Sequence, residues 1–278
     1  MASSRNLPTA SWRRYAPVYL ALGVGAVVSL ALFLISRSVL TSSAATAFER
    51  RAGTVTAVLE IGIGTYLQVV QSLRNFFVAS DTVLQEEFHT FLRWEVTNAP
   101  GLRALGWAPA VPPDRIDEVE AELTAEHNVP VRVHVLTPDG PAPAPPSDVH
   151  LPAFYIAPRQ GNEAYLGLDL ATDPYRSSAV HRAIALGSIA ASDWMGVVGG
   201  GTGVMLVAPV RDGSGSPLRG VVFGSFGIAD LIHSTLGGVQ TDVNFEILNT
   251  AEDGPGQKGL RYDGEEGSLT PIDEAEAS

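Results

Sequence analysis

Hydrophobic residues divide the chain into an uninterrupted apolar segment, a long helical repeat and a region of short alternating elements. The apolar segment has no charged residue from Tyr15 to Ser36. A helix of that length, rising 1.5 Å per residue, can cross a hydrocarbon core about 30 Å thick. We therefore predict a transmembrane helix over residues 15–37.

Charges next to this segment suggest its orientation. Arg5, Arg13 and Arg14 precede it without any acidic residue, and basic residues favour the cytoplasmic side. Residues 1–14 are therefore expected in the cytoplasm, with the remainder outside an inner or plasma membrane. A cleaved signal peptide is the alternative, because residues 45–47 form a small-x-small site. Its apolar core would exceed the roughly 15 residues usual for such peptides.

Residues 42–80 show the spacing of a packed helical seam, which predicts a stalk helix. Apolar and small positions recur in steps of four and three, and the seam can pack on its own domain or against a second copy. Three glycines, Gly53, Gly62 and Gly64, each weaken the helix by about 1 kcal/mol relative to alanine. The repeating positions are Phe48, Ala52, Val55, Leu59, Gly62, Tyr66, Val69, Leu73 and Phe76.

Beyond Ser80 short helices and strands alternate, which is typical of an α+β fold. Thr82 and Gln85 have the spacing of a capping box for a helix, a strand is expected over 105–110, and a helix from Asp114. That helix has acidic residues at 117, 118, 120, 122 and 126, which we interpret as a water-facing surface. Alternating valines predict a strand over 131–135. The proline-rich stretch 138–148 is interpreted as a loop without chemistry.

The most informative stretch runs from Pro152 to Gly187. A strand is expected at 154–156, followed by a polar loop, a Leu-Asp step and a helix. Asp173 and Pro174 suit the N-cap and first helical position, and Gly187 suits the stop. Two strands at 203–211 and 219–226 then form a hairpin, followed by a helix over 228–236 and a strand near 243–247. We interpret the stretch from Pro152 to Gly187 as the wall and lid of a pocket.

Composition narrows the classes of function. The chain has no cysteine, so disulfides, thiolate nucleophiles and cysteine zinc sites are excluded. Net charge is −12, of which −6 lies in residues 251–278 (eight acidic against two basic residues). Nucleic acid is therefore not an expected partner. The Gly-rich, acidic segment 251–278 is predicted to be disordered.

No catalytic constellation emerges from the motifs. The six histidines lack the spacing of a helical zinc motif, and the glycine run 199–203 is not followed by Gly-Lys-Ser/Thr. No Gly-x-Ser-x-Gly elbow occurs. Asp169 could act as a general base, but a buried carboxylate that holds its loop by hydrogen bonds is the commoner role. We predict no catalytic residue, metal site or cofactor.

Four segments together resemble the CHASE domain, an extracytoplasmic sensory module of histidine kinases, nucleotide and diguanylate cyclases and cytokinin receptors. They are the stretch from Phe88 to Val111, the series from Tyr155 to Leu170, GVMLVAPVR from Gly203 and GVVFGSFGIADLI from Gly220. The resemblance implies a long helix carrying tandem PAS-like lobes. We place a membrane-distal lobe at 81–212 and a partial membrane-proximal lobe at 213–250.

The resemblance also implies a ligand site. In the cytokinin receptors an acidic residue nine positions before the Leu-Asp aspartate recognises adenine, and a threonine five positions after the helix-ending glycine supports it. Those positions hold Gln160 and Ser192 here, so the hydroxyl is kept and the carboxylate is lost. Asp169 is expected to anchor the loop. The expected ligand-binding residues are Tyr155, Gln160, Asn162, Tyr165, Ser192 and Met205.

Three function classes follow, in order of preference. The first is a membrane-anchored receptor domain that senses a small molecule and signals through its stalk as a homodimer. The second is an extracytoplasmic scaffold without a small ligand. The third is a membrane-anchored enzyme, for which a base and nucleophile are missing. The identity of the ligand does not follow from the sequence.

Overall fold

A computed structural model of the protein describes residues 12–99, 101–197, 200–213, 215–237, 242–249 and 259–272. The chain forms two compact units, Met1–Thr54 and Val55–Ser278. Most of the predicted cytoplasmic segment 1–14 lies outside the described residues. The first unit consists of helix in its described part, and the second contains all the strands.

The predicted transmembrane segment and stalk both lie in one helix, α1 (Trp12–Val78). Among the described residues two stretches of it are long and apolar enough to cross a membrane, Pro17–Ile35 and Thr46–Val78. The side chains of the first stretch are exposed, whereas the second contains buried residues such as Tyr66, Val69 and Leu73. The first stretch lies within the predicted span 15–37, and the second lies within the predicted stalk 42–80.

Within the described residues four further helices and 11 strands follow. In chain order they are α2 (Gln85–Asn98), β1 (Leu102–Pro109), α3 (Ile116–His127), β2 (His134–Thr137), β3 (Gly140–Pro143), β4 (Tyr155–Ala157), α4 (Ser177–Leu186), β5 (Ala190–Ala191), β6 (Met195–Gly196), β7 (Thr202–Val210), β8 (Gly220–Gly227), α5 (Ile228–Leu236), β9 (Phe245–Leu248), β10 (Gly259–Asp263) and β11 (Ser268–Ile272). Short 3-10 turns occur at Pro113–Arg115 and Glu163–Tyr165.

The strands form three antiparallel sheets. The largest has the order β4-β1-β8-β7-β5, with β6 also paired to β7. The hairpin β7–β8 confirms the predicted pair, with Leu206 opposite Gly224. A three-stranded sheet has the order β11-β10-β9, and β2 pairs with β3 as a separate ribbon.

Two predicted domain limits are corrected by this topology. Strand β8 lies between β1 and β7, so the boundary placed at 212/213 would cut the central sheet. The segment 251–278 is not disordered throughout, because β10 and β11 occupy 259–272; residues 251–258 and 273–278 lie outside the described residues. Leu260, Tyr262 and Ile272 are buried, and these few spaced apolar residues are enough to pair the strands although the average composition is polar.

Each face of the central sheet has its own hydrophobic core. Side chains alternate along a strand, so Leu105 and Trp107 of β1 pack against α1 and α2. Ala104 and Ala108 instead face the loop that follows β4 and helix α4. The stalk seam packs internally over much of its length, because Tyr66, Val69 and Leu73 are buried in the first of these cores.

Candidate functional site

The loop between β4 and α4 is built around the carboxylate of Asp169, which is fully buried. It accepts hydrogen bonds from the Leu151 backbone N–H at 2.7 Å, the Ala171 N–H at 3.2 Å and the Thr172 hydroxyl at 2.6 Å. Nδ1 of His150 lies 2.7 Å from Oδ2, the oxygen that also accepts from Thr172. These partners lie in the loop itself and in the segment that precedes β4, so Asp169 fastens the loop to that segment. The arrangement matches a loop anchor better than a general base.

A second buried carboxylate, that of Asp173, lies just before α4, where it was predicted to be the N-cap. The helix starts later, at Ser177, and Asp173 accepts from the Tyr175 N–H at 3.1 Å and from Nη1 of Arg176 at 2.8 Å. Nη2 of Arg176 donates to the Tyr165 hydroxyl at 3.2 Å. Burial opposes the charge of Arg176, but Tyr165 and Asp173 outweigh it and raise its pKa. This ion pair was not predicted from the sequence.

Tyr155 of β4 faces the stalk. Its hydroxyl donates to the Val83 carbonyl at 3.1 Å, and its ring stacks on Phe88 at a centroid distance of 5.3 Å. Burial, reinforced by three acidic side chains on α2 and α3, raises the pKa of Tyr155 to about 12. This phenol therefore stays neutral and serves as a core donor.

Three other predicted ligand residues lie elsewhere in the lobe. Tyr165 and Met205 are almost fully buried in the core on the opposite face of the sheet. The Ser192 hydroxyl accepts from the Met205 N–H at 2.9 Å and donates to the Asp193 carbonyl at 2.8 Å. Its hydrogen bonds are thus used in joining the chain after β5 to β7.

The remaining two predicted residues differ in exposure. Asn162 is buried, and its Nδ2 donates to the carbonyls of Arg103 and Pro158 at 2.8 Å each. Its Oδ1 has no hydrogen-bond partner within the described residues. Gln160 is exposed. The structure therefore does not gather the six residues around one cavity, since Tyr155 and Met205 lie on opposite faces of a sheet.

A groove of about 740 Å³ opens beside this loop. Three parts of the chain form its walls. They are the end of α3 together with the segment that follows it, the ribbon β2–β3 and the turn Glu163–Tyr165. We call it the ribbon groove. Its lining residues are Glu120, Val129, Pro130, Val131, Arg132, Val133, His134, Pro141, Ala142, Pro143, Arg159, Glu163, Ala164 and Leu166.

Most polar groups of the ribbon groove already hold its walls together. Glu120 was predicted to face water, but it is buried, pairs with Nη1 of Arg132 and accepts from the Val133 N–H at 2.8 Å. The His134 ring lies 2.9 Å from the Arg132 carbonyl and 3.1 Å from the Ala164 carbonyl. These contacts join the segment after α3 to the turn.

The last two charged residues of the groove are Glu163 and Arg159. The carboxylate of Glu163 accepts hydrogen bonds from its own backbone N–H and from that of Gly161. These bonds lower the pKa of Glu163, and Arg159 has a smaller effect in the same direction. Arg159 is half-buried, and its Nη2 donates to the His127 carbonyl at 3.2 Å. Glu163 is thus held as an anion beside a guanidinium.

The groove was not predicted from the sequence, because residues 138–148 were interpreted as a loop. Strand β3 forms one wall within that stretch. A usable signal was present, because Pro138-Asp139-Gly140 is a turn sequence, and Gly140 has a left-handed φ of 113°. The turn follows the apolar run that becomes β2, which is the pattern of a hairpin.

Comparison with known proteins identifies the family. The sequence model of the CHASE domain matches residues 81–258. The chain belongs to the CHASE domain family. No curated protein matches at a significant level.

Solved structures similar to this CHASE domain include two bacterial sensory domains. One is the ligand-binding domain of the Pseudomonas aeruginosa PAO1 amino acid chemoreceptor PctC in complex with GABA (13% identity, 72% of this chain and 69% of that chain covered, TM-score 0.43). The other is the periplasmic sensory domain of the Campylobacter jejuni chemoreceptor Tlp1 (14% identity, 73% and 67% covered, TM-score 0.38).

Membership confirms the family suggested by the four sequence segments. With the apolar N-terminal helix, it indicates a membrane-anchored protein with an extracytoplasmic sensor domain, of α+β fold. The CHASE domain is a sensing module and not a catalytic one.

Proposed function

We propose that this CHASE domain binds a small molecule outside the membrane and relays the signal of a receptor through α1. One observation carries the proposal: two arginines fasten the end of α1 to the central hairpin of the sheet. Nε of Arg74 donates to the Pro209 carbonyl at 2.9 Å. The guanidinium of Arg219 donates to the carbonyls of Phe77 at 3.1 Å and Ser80 at 2.8 Å.

Aromatic contacts support the same coupling. Phe77 of α1 stacks on Trp107 of β1 at 4.3 Å, and Tyr66 meets Phe226 of β8 edge-on at 4.7 Å. A ligand that prefers one arrangement of the sheet shifts its population by the difference in affinity. Packed elements have discrete arrangements, so a displaced hairpin would move the contacts at the end of α1.

Three finer features belong to this proposal. The six-stranded and three-stranded sheets would be the two PAS-like lobes, and the segment before the apolar span would lie in the cytoplasm. The receptor would act as a homodimer. Exposed apolar residues of the stalk, Ile61, Ile63 and Leu67, offer a surface for the second copy, because the heptad seam itself packs internally.

A thermal-shift screen of the full chain in nanodiscs against a metabolite library tests ligand binding. A ligand that binds only the folded state raises the melting temperature. We expect at least one hit, and we expect the hit to change hydrogen exchange near Phe77. A thorough screen without a hit would favour the scaffold alternative.

A variant pair then tests the relay. Arg219→Leu should bind the ligand but lose the exchange change in α1. Arg211→Leu is the matched control, because Nη1 of Arg211 donates to the Ser216 carbonyl at 2.7 Å within the hairpin connection. An unchanged response in both variants would show that these contacts do not carry the signal.

A further inference from the structure

We propose that the ribbon groove is the ligand site and that it takes a small monocarboxylate with an apolar body. The inference rests on the proposed sensing function and relocates its site. The residues predicted from the sequence offer little room, because Tyr165 and Met205 are packed in a core and the Ser192 hydroxyl bonds the backbone.

The walls of the ribbon groove suit an apolar body. Nine of its 14 lining residues are aliphatic or proline, and its volume of about 740 Å³ lies in the range of small-molecule sites, roughly 300–1,000 Å³. Pro141 and Pro143 lack a backbone N–H, so at these two positions the wall presents ring carbons and no backbone donor. The apolar part of a ligand would therefore bury this surface with little desolvation of polar groups.

Arg159 supplies the recognition of the carboxylate. A guanidinium has five N–H donors in a planar fork, and within the described residues the Arg159 side chain makes one hydrogen bond, to the His127 carbonyl. Arg132, the other arginine of the groove, is already paired with Glu120 and is 83% exposed. Among the described residues Arg159 is therefore the groove arginine without an ion pair, and a carboxylate can accept two of its remaining donors side by side.

The acidic groups select a single negative charge. Glu120 is paired with Arg132, so Glu163 is the carboxylate of the groove without such a pair among the described residues, and its lowered pKa keeps it charged. A dianionic phosphate beside Arg159 would be repelled by Glu163 more strongly than a monoanion. A monocarboxylate needs one compensating cation, which Arg159 provides.

Isothermal titration of the full chain in nanodiscs tests the proposal with phenylacetate and cyclohexanecarboxylate, each compared with its primary amide, and with inorganic phosphate. We expect the carboxylates to bind at least tenfold more tightly than the amides, and phosphate more weakly than both acids. Arg159→Gln should weaken carboxylate binding by roughly tenfold to a hundredfold, the range for a hydrogen-bonded charge.

Filling the groove is an independent test. Ala142→Trp and Ala164→Trp place an indole in it and should abolish binding. Ala125→Trp lies on the exposed face of α3, outside the groove, and should bind normally. Two separate filling variants guard against one that fails to fold, which its melting curve would reveal.

Four results would overturn the proposal: amides that bind as well as acids, phosphate that binds more tightly, carboxylate binding that survives both filling variants, or no binding of either acid. Failure of the site is distinguishable from failure of the sensing function. A metabolite that stabilises the chain equally in wild type and in both filling variants would leave sensing intact and place its site elsewhere.

Discussion

Replacing Gly62 of the stalk should destabilise the protein, although alanine is the better helix former. Gly62 of α1 lies against Thr235 of α5. A β-carbon at this position would overlap Oγ1 of Thr235, lie 2.7 Å from its Cγ2 and lie 3.2 Å from its Cβ. Both close atoms branch from one carbon, so rotating the Thr235 side chain does not clear both. Gly64 lies two residues further along the helix, and a β-carbon built there has no atom within 4 Å.

These contacts set the expected magnitudes. A glycine-to-alanine change in a helix gains about 1 kcal/mol, and this gain applies to both positions. Forcing a methyl group into a filled contact costs about 1–3 kcal/mol, and this penalty applies to Gly62 alone. Gly64→Ala should therefore raise the free energy of unfolding by up to about 1 kcal/mol. Gly62→Ala should leave it about 1–3 kcal/mol below the Gly64 variant.

The assay is denaturant unfolding of the full chain in detergent micelles, followed by tryptophan fluorescence. Thr235→Ala on its own and combined with Gly62→Ala completes a double-mutant cycle. The combined variant should recover most of the loss, because the overlapping Oγ1 and Cγ2 are gone. Equal unfolding energies for Gly62→Ala and Gly64→Ala, or no coupling in the cycle, would refute the close approach of α1 and α5.

Three further predictions concern the loop and its surroundings. Asp169→Ala should lower the free energy of unfolding by about 2–5 kcal/mol, because several buried donors lose their acceptor, whereas Asp169→Asn should cost less; thermal unfolding checks both. Ser192→Ala should lower the melting temperature while Gln160→Ala leaves it unchanged, since the serine hydroxyl bonds two backbone groups and the glutamine is exposed; equal values would contradict this. Burial lowers the pKa of His127, so its neutral form contributes stability that is complete above the unfolded pKa of about 6.5 and is lost as the pH falls through the lower folded pKa. The melting temperature should therefore fall from pH 7.5 to pH 5, and His127→Gln should show a shallower fall.

The amino-acid sequence by itself determined the elements that depend on near neighbours. Helix α5 begins at Ile228 and ends at Leu236, as its pattern predicts, and Gly187 ends α4 with a left-handed φ of 65°. The hairpin β7–β8 and the apolar span were predicted for the same reason, since periodicity and turn residues act over a few positions. The joint pattern of four segments was enough to indicate the family.

Only the tertiary structure decided which distant segments meet. Strand β8 belongs to the central sheet and not to a second lobe. The sequence did not predict this, because the pairing of β8 with β1 joins residues more than 100 positions apart. Glu120 looked like a surface residue until the segment after α3 brought the Val133 N–H to it. Gly62 looked like a weak point in a helix until α5 was placed against it. Burial and hydrogen bonding are properties of neighbours in space, and a local pattern does not contain the neighbours that the chain brings from elsewhere.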